Sequence, residues 1–430
     1  MSRGFGSSLS FLLAGWGWLL LTSLLGLATF WGIVRGAPLP SGLRLLHVHG
    51  VLVGGLLQLL TGLAIAAEDL ISHQGKRTTH RLLFLSMNLA ALGFALGAWL
   101  RNPTVTLGAG LLLAVLFVPV ARRLLTGLRT CSSWTPLSHF YFGISLAGLF
   151  GSVILGGLLA GAWYPTWHGM IRLGHLHAGL LLFLTIGTVG TIQLALPLML
   201  HRPLRSAALG QAVFLLLPAS AAGLITGFVL SSVHIQVAAG SMLIVGLALC
   251  CINLLRTWSQ AGQPGSAATD HLLTALSFLL IMTCIGLALG INVLSMPPVM
   301  PYGTLHLVAY THTAFLGFLL QSMVGGLSLA LPSLLATGRI ANQKKRGAYR
   351  EDLERIMNRW RAAQVATVSF GSLGLVLVAS LTWNLPLSSS WIHTGTWISL
   401  GLLLLHLTMV TIKIAQATAT QPTHEGSGMK

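Results

Sequence analysis

Apolar runs of membrane-spanning length recur along almost the whole chain, and they constrain its fold more than any other feature. A helix needs roughly 20 apolar residues to cross the hydrocarbon core of a bilayer. Only 7% of the residues are charged, against roughly a quarter in a typical soluble domain. A chain this poor in charge cannot cover a water-facing surface of its size. We therefore predict an all-α, polytopic membrane bundle.

The apolar runs predict about twelve transmembrane helices in one membrane domain that covers residues 1–420, with a disordered tail at 421–430. The first run is interpreted as a retained helix, because no small-residue cleavage site clearly follows it. The predicted helices are 9–34, 45–67, 82–100, 104–121, 139–163, 173–199, 207–230, 234–255, 271–293, 304–331, 362–383 and 391–415.

The positive charge lies mostly on one side of this predicted bundle. Of the 24 lysines and arginines, all but Arg35, Arg44, Arg101 and Arg172 fall on the side of the two termini, Lys413 among them. The positive-inside rule then predicts cytoplasmic termini in a bacterial inner membrane. The net charge of +17 is explained by the basic residues of these loops. The expected partner is membrane lipid. No basic face with interleaved aromatic residues indicates nucleic-acid binding.

One long polar stretch, residues 336–361, separates the tenth and eleventh predicted helices. Residues 350–361 could form a short amphipathic helix on the anionic leaflet of the membrane. A solvated connector explains the same composition equally well, and the sequence leaves both interpretations open.

Three predicted helices share a pattern with a histidine at its third position: HVHGVLVGG in the second, HLHAGLLLF in the sixth and YTHTAFLGF in the tenth. The aligned histidines are His49, His177 and His312. Glycines follow each of them at the same distance, at Gly62, Gly190 and Gly325. These helices are four apart and run in the same direction. The pattern therefore predicts a four-helix unit used three times, with histidines near the outer face.

Histidine is costly inside a membrane and usually marks a functional site. Successive residues of a helix differ by about 100°, so His47 and His49 point to roughly opposite faces, as do His175 and His177. Haem iron takes axial imidazoles, and its flat apolar ring fits between helices. Copper is the other candidate, whereas no HExxH motif supports zinc. The alternative is that these histidines bind water or loop carbonyls in the interface.

The cysteines and the other histidines give less information about a functional site. None of the four cysteines lies in a CxxCH motif, so any haem would be non-covalent. His271 falls beside a predicted loop on the inner side and is expected to be solvated. His406, within the twelfth predicted helix, has no assigned role.

Twelve helices with ligand histidines on the second, sixth and tenth resemble subunit I of the haem-copper oxidases. The pattern is most similar to the C-family cytochrome c oxidases and to the related NnrS-type haem and copper membrane proteins. The resemblance implies a low-spin b-type haem held by His49, or alternatively His47, together with His312. It also implies a second haem on His306, copper on His175 or His177, and partners such as a c-type cytochrome or other respiratory subunits.

This chain departs from that family in its seventh helix. Residues 207–230 contain neither the copper-binding histidine pair nor the tyrosine of many oxidases, and no acidic residue lies deep in a predicted helix. Enzymatic activity is therefore left open. The hypotheses are a haem protein for electron transfer or for O2 or NO chemistry, a cofactor-free twelve-helix transporter, and an assembly subunit of a respiratory complex.

Overall fold

The computed structural model describes residues 7–35, 38–40, 42–71, 80–130, 136–262, 265–295 and 304–422. Every regular element within these ranges is helical, which confirms the predicted fold class. The tail predicted at 421–430 lies outside the described residues from 423 onward. We number the helices α1 (Ser8–Val34), α2 (43–71), α3 (Arg81–Leu100), α4 (Pro103–Thr130), α5 (Pro136–Ala160), α6 (168–199), α7 (Ala207–Val229), α8 (Val233–Ala261), α9 (Ala267–Leu294), α10 (304–339), α11 (Gln343–Asn358), α12 (Arg361–Leu381) and α13 (Ser390–Ala419).

The distribution of apolar and polar side chains is that of a membrane protein. Eleven helices of the described chain are long and apolar enough to cross a bilayer, and the apolar part of α4, Pro103–Pro119, is shorter. Large apolar side chains face outward, such as Leu82 at 74% exposure and Val115 at 67%. Polar side chains such as Gln58 and Asn253 are buried. Because water would not tolerate so much apolar surface, the outer face of the bundle contacts lipid.

The helices form three consecutive units, α1–α4, α5–α8, and α9, α10, α12 and α13. Within each unit every helix packs on the next one, and the first helix runs along the second. The bundle closes where α13 meets α1, since Nε1 of Trp16 donates to Thr411 (3.0 Å) and Trp397 packs edge-on against Phe30. The threefold repeat predicted from the histidine pattern is thus also found in the packing of the helices.

The second helix of each unit contains an eight-residue π-helical segment. These segments are Gly50–Leu57 in α2, Ala178–Thr185 in α6 and Thr313–Leu320 in α10. Each one begins at the residue after the aligned histidine. π-Helix is rare and is frequently found at functional sites. Three segments of equal length in the same register therefore mark one structural device that is repeated in the chain.

The aligned glycines lie where the first helix of a unit crosses the second. A Cβ added at Gly62 would lie 2.9 Å from a methyl group of Leu12, and one at Gly190 would lie 2.6 Å from Tyr141. One at Gly325 would lie 3.0 Å from the backbone oxygen of Ala268. These glycines allow close helix contact, as small residues do in membrane proteins.

The polar stretch between α10 and α12 forms the amphipathic helix α11, which begins and ends earlier than the predicted 350–361. Tyr349, Leu353 and Met357 are spaced four apart and are 4% exposed or less. Their face packs against α10 and α13, so the apolar side of α11 covers the bundle rather than the lipid. Arg339 reinforces this contact by donating to the Tyr349 hydroxyl and to the Thr418 carbonyl.

Replacing Leu353, which is fully buried, with alanine should detach α11 from the bundle. We expect L353A to lose about 2–5 kcal/mol of stability, because it leaves a cavity at this contact. The exposed Lys345 on the same helix provides the control, and K345A should change stability by no more than about 0.5 kcal/mol. Thermal unfolding of the purified protein in detergent measures both. Equal stability of the two variants would show that α11 does not depend on this contact.

Candidate functional site

Five of the histidines singled out in the sequence lie in the turns that precede the π-helical segments. They are His47 and His49 on α2, His175 and His177 on α6, and His312 on α10. We call this end of the bundle the histidine end. The opposite end, which carries α11 and the residues from Arg339 to Arg361, is the basic end.

The three aligned histidines share one ring orientation. Nδ1 of His49 donates to the Leu45 carbonyl (3.1 Å), Nδ1 of His177 to Leu173 (2.8 Å), and Nδ1 of His312 to Val308 (2.8 Å). A carbonyl oxygen can only accept, so Nδ1 carries the hydrogen in each ring. The Nε2 atom is left with its lone pair, which is the form that binds a metal.

His47 and His175 are fixed in the same way by the preceding helix. Nδ1 of His47 donates to the Thr22 carbonyl on α1 (2.8 Å), and Nδ1 of His175 donates to the Ser152 carbonyl on α5 (2.8 Å). A hydrogen bond from the second ring nitrogen to a carbonyl is the usual support of a metal-binding histidine. All five rings therefore present Nε2 for coordination.

The matching position in the third unit is Tyr310, which a search for histidines alone passes over. A Cβ added at Gly26 would lie 2.7 Å from Cε1 of His47, and one at Gly156 would lie 3.0 Å from Cε1 of His175. The corresponding distance from Gly286 to the Tyr310 ring is 3.3 Å. The aligned motif already contained this signal, since Tyr310 stands where the other two units have histidine.

Histidines of different helices lie within electrostatic range of each other at two places. His312 on α10 lies within electrostatic range of His47 on α2, and His49 lies within range of His175 on α6. The two histidines of α2 therefore serve different neighbours, as their angular separation predicts. The ring of His49 stacks on Phe94 (5.1 Å between centroids), and His177 packs against Phe228 (4.3 Å).

His306 has a different environment from these pairs. Its ring stacks on Trp383 at 5.3 Å, at the end of α12. Among the described residues no group of three or more His, Cys, Asp and Glu side chains comes together.

The structure also corrects two expectations from the sequence. His271 was expected to be solvated, but it is fully buried. Lys413, near the end of the predicted helix 391–415, was counted with the charges on the side of the two termini, but it too is fully buried. His271 belongs to α9 and Lys413 to α13. Both helices extend further towards the basic end than the sequence predicted, and α11 covers that end.

The chain matches no protein-family model, and no curated protein matches it.

Proposed function

We propose that this chain is a membrane haem protein for electron transfer, with a non-covalent b-type haem held between α2 and α10 by His47 and His312. The observation that carries this proposal is the fixed orientation of both rings, each with Nδ1 bonded to a backbone carbonyl 2.8 Å away. Of the two α2 histidines that the sequence offered, His47 is the one within electrostatic range of His312.

The residues around this pair fit the proposed group. The two rings come from different helices, which is what coordination of a flat group from both sides would need. Thr22 and Gly26 on α1 hold the His47 ring in place from behind. Because backbone carbonyls already fix both rings, little side-chain freedom is lost when a ligand binds. The bundle supplies an apolar surround, with Ala309 on α10 only 4% exposed.

When bound, a haem supplies one-electron redox chemistry. His47 and His312 would both hold the group, so the iron would have no position left for a substrate. The chain's own part is to fix the two Nε2 atoms and to exclude water from them. This arrangement favours electron transfer over chemistry at the iron.

The proposal does not extend to an oxidase centre, because α7 lacks the residues for it. α7 contains no histidine, so a copper centre of the oxidase kind would lack its main ligands, and we do not propose oxygen reduction. Copper bound by His175 or His177 stays a prediction. The positive-inside rule places the basic end in the cytoplasm. An electron partner such as a c-type cytochrome or another respiratory subunit would then meet the histidine end from outside.

Haem content tests the proposal. We expect the full-length protein, expressed with ample haem, to purify coloured and to contain about one haem b per chain by the pyridine haemochrome assay. Its absorption spectrum should show low-spin iron, because two strong imidazole ligands are present. Protein that purifies colourless under these conditions would contradict the proposal. Uptake of a substrate by such colourless protein would favour a transporter.

A further inference from the structure

Five buried polar side chains meet in the third unit, towards the basic end. We call them the lysine cluster, and each is 1% exposed or less. Its members are His271 on α9, Gln321 on α10, Gln364 on α12, and His406 and Lys413 on α13. The proposed haem site uses none of these side chains.

The two glutamines fix His271 in its neutral form. Nε2 of Gln321 donates to the Gly317 carbonyl (2.9 Å), so Oε1 is free to accept from Nδ1 of His271 (3.3 Å). Nε2 of Gln364 donates to Nε2 of His271 (2.9 Å). One ring nitrogen therefore donates and the other accepts, as in a neutral imidazole.

Lys413 binds two oxygens. Its Nζ donates to the Met357 carbonyl (2.9 Å) and to Oε1 of Gln364. Met357 lies in the last turn of α11, where unpaired carbonyls form the negative end of the helix dipole. An ammonium group has three N–H donors, whereas the neutral amine has two. Both hydrogen bonds can therefore persist when Lys413 loses its proton.

His406 offers a position for that proton. Its Nδ1 donates to the Gln364 backbone carbonyl (2.9 Å), so Nε2 carries the lone pair. This Nε2 is fully buried and has no hydrogen-bond partner among the described residues. A buried acceptor without a donor is costly. The ring lies 5.6 Å from that of His271 and within electrostatic range of Lys413.

The charged groups around the cluster lie outside it. Asp270 of α9 pairs with Arg361 of α12 at 3.6 Å, where both side chains are partly exposed. Arg339 of α10 is bonded to Tyr349 and to the end of α13. In the described chain no carboxylate forms a hydrogen bond with Lys413. A permanent positive charge there would be buried without a counter-charge, which is costly.

The cluster is closed towards the histidine end. Val368 and Leu375 of α12 and Leu403 of α13 form an apolar layer there. On the other side Asp270, which precedes His271, is partly exposed at the basic end. Asp270, the chain neighbour of His271, therefore links the cluster to the basic end.

We propose that Lys413 and His406 form a buried proton-binding site. When the site is occupied, one proton resides either on the Lys413 amine or on Nε2 of His406, and when it is empty both groups are neutral. When the proton moves, the Nζ–H bond of Lys413 breaks and an Nε2–H bond forms on His406, so the charge of the cluster does not change. The proton enters and leaves at the basic end.

The site is connected to the histidine end through α10. Gln321 is the first residue after the π-helical segment, and His312 is the residue before it. Uptake of a proton here would balance negative charge that arrives near His312. This role rests on the proposed haem function, whereas the proton site itself does not.

Solid-state NMR of the full-length protein in liposomes, with ¹⁵N-labelled histidine, tests the site without any need for haem. H406Q identifies the His406 signals. In the unaltered protein we expect neutral His406 with hydrogen on Nδ1. K413M removes one of the two carriers, so the ratio of doubly protonated to neutral His406 at a fixed acidic pH should rise at least about tenfold. K413R keeps a permanent charge and should not raise this ratio.

The exposed Lys344 on α11 supplies the matched control, and K344M should leave the ratio unchanged. If K413M does not fold, K413Q makes the same comparison, since its amide still donates within the cluster. An unchanged ratio in the Lys413 variant would overturn the proposal. So would an equal rise in K344M, or neutral His406 with hydrogen on Nε2.

Discussion

Replacing His312 with alanine should abolish haem binding, and H47A should have the same effect. Each variant removes one of the two Nε2 atoms proposed to hold the iron. On α10, Tyr310 stands at the position that matches His47, so α10 has no second histidine two residues before His312. We expect less than about a tenth of the normal haem content, measured by pyridine haemochrome on protein of equal purity. Metal affinity usually falls about tenfold or more when a residue that supports a metal ligand is removed, and removal of the ligand itself should cost at least as much.

His49 provides the matched control, because it lies two residues from His47 on the same helix and is within electrostatic range of His175 instead. H49A should retain most of the haem and its low-spin spectrum. The opposite pattern, with haem lost in H49A and kept in H47A, would show that the haem lies elsewhere in the bundle. A loss in all three variants would indicate general unfolding, which thermal unfolding in detergent would reveal.

The second large effect should come from Gly148, where α5 crosses the π-helical segment of α6. A Cβ at this position would lie 2.7 Å from the Phe183 nitrogen and 2.8 Å from the Leu182 carbonyl carbon. These are backbone atoms, so no side chain can turn aside to make room. We expect G148L to lower stability by about 3 kcal/mol or more, through the strain of overpacking, and thermal unfolding in detergent measures it.

The control for Gly148 is Gly151, three residues further along α5. A Cβ there has nothing within 4 Å, so G151L should unfold within a few degrees of the unaltered protein. If G148L proves as stable as G151L, the close contact between α5 and the π-helical segment does not hold the second unit together.

The sequence predicts the membrane fold well because bilayer insertion depends on local composition. The lengths and order of the apolar runs are sufficient for the helices, and the recurring HxH and YTH motifs reveal the repeat. The π-helical segments carry no such signal, since HGVLVGGLL has the composition of any membrane helix. They follow from the fit between the first and second helices of each unit, which depends on residues far apart in the chain.

The pairing of the histidines, too, can be predicted only in part from the sequence. The angle of about 100° per residue predicts that His47 and His49 serve different neighbours. Which neighbour each one meets depends on how the three units are arranged in space, and the sequence of one helix does not contain that information. His271 and Lys413 were misjudged for a related reason. Both lie near the ends of their predicted helices, where contact with water is expected. α9 and α13 extend past these predicted ends, and α11 covers them.

Electron cryo-microscopy of the protein purified from haem-supplied cells tests the central claim most directly. The account predicts planar density between α2 and α10 at the histidine end, with its centre coordinated by Nε2 of His47 on one side and Nε2 of His312 on the other. A map in which side chains fill this space, or in which the density is held by other residues, would contradict it.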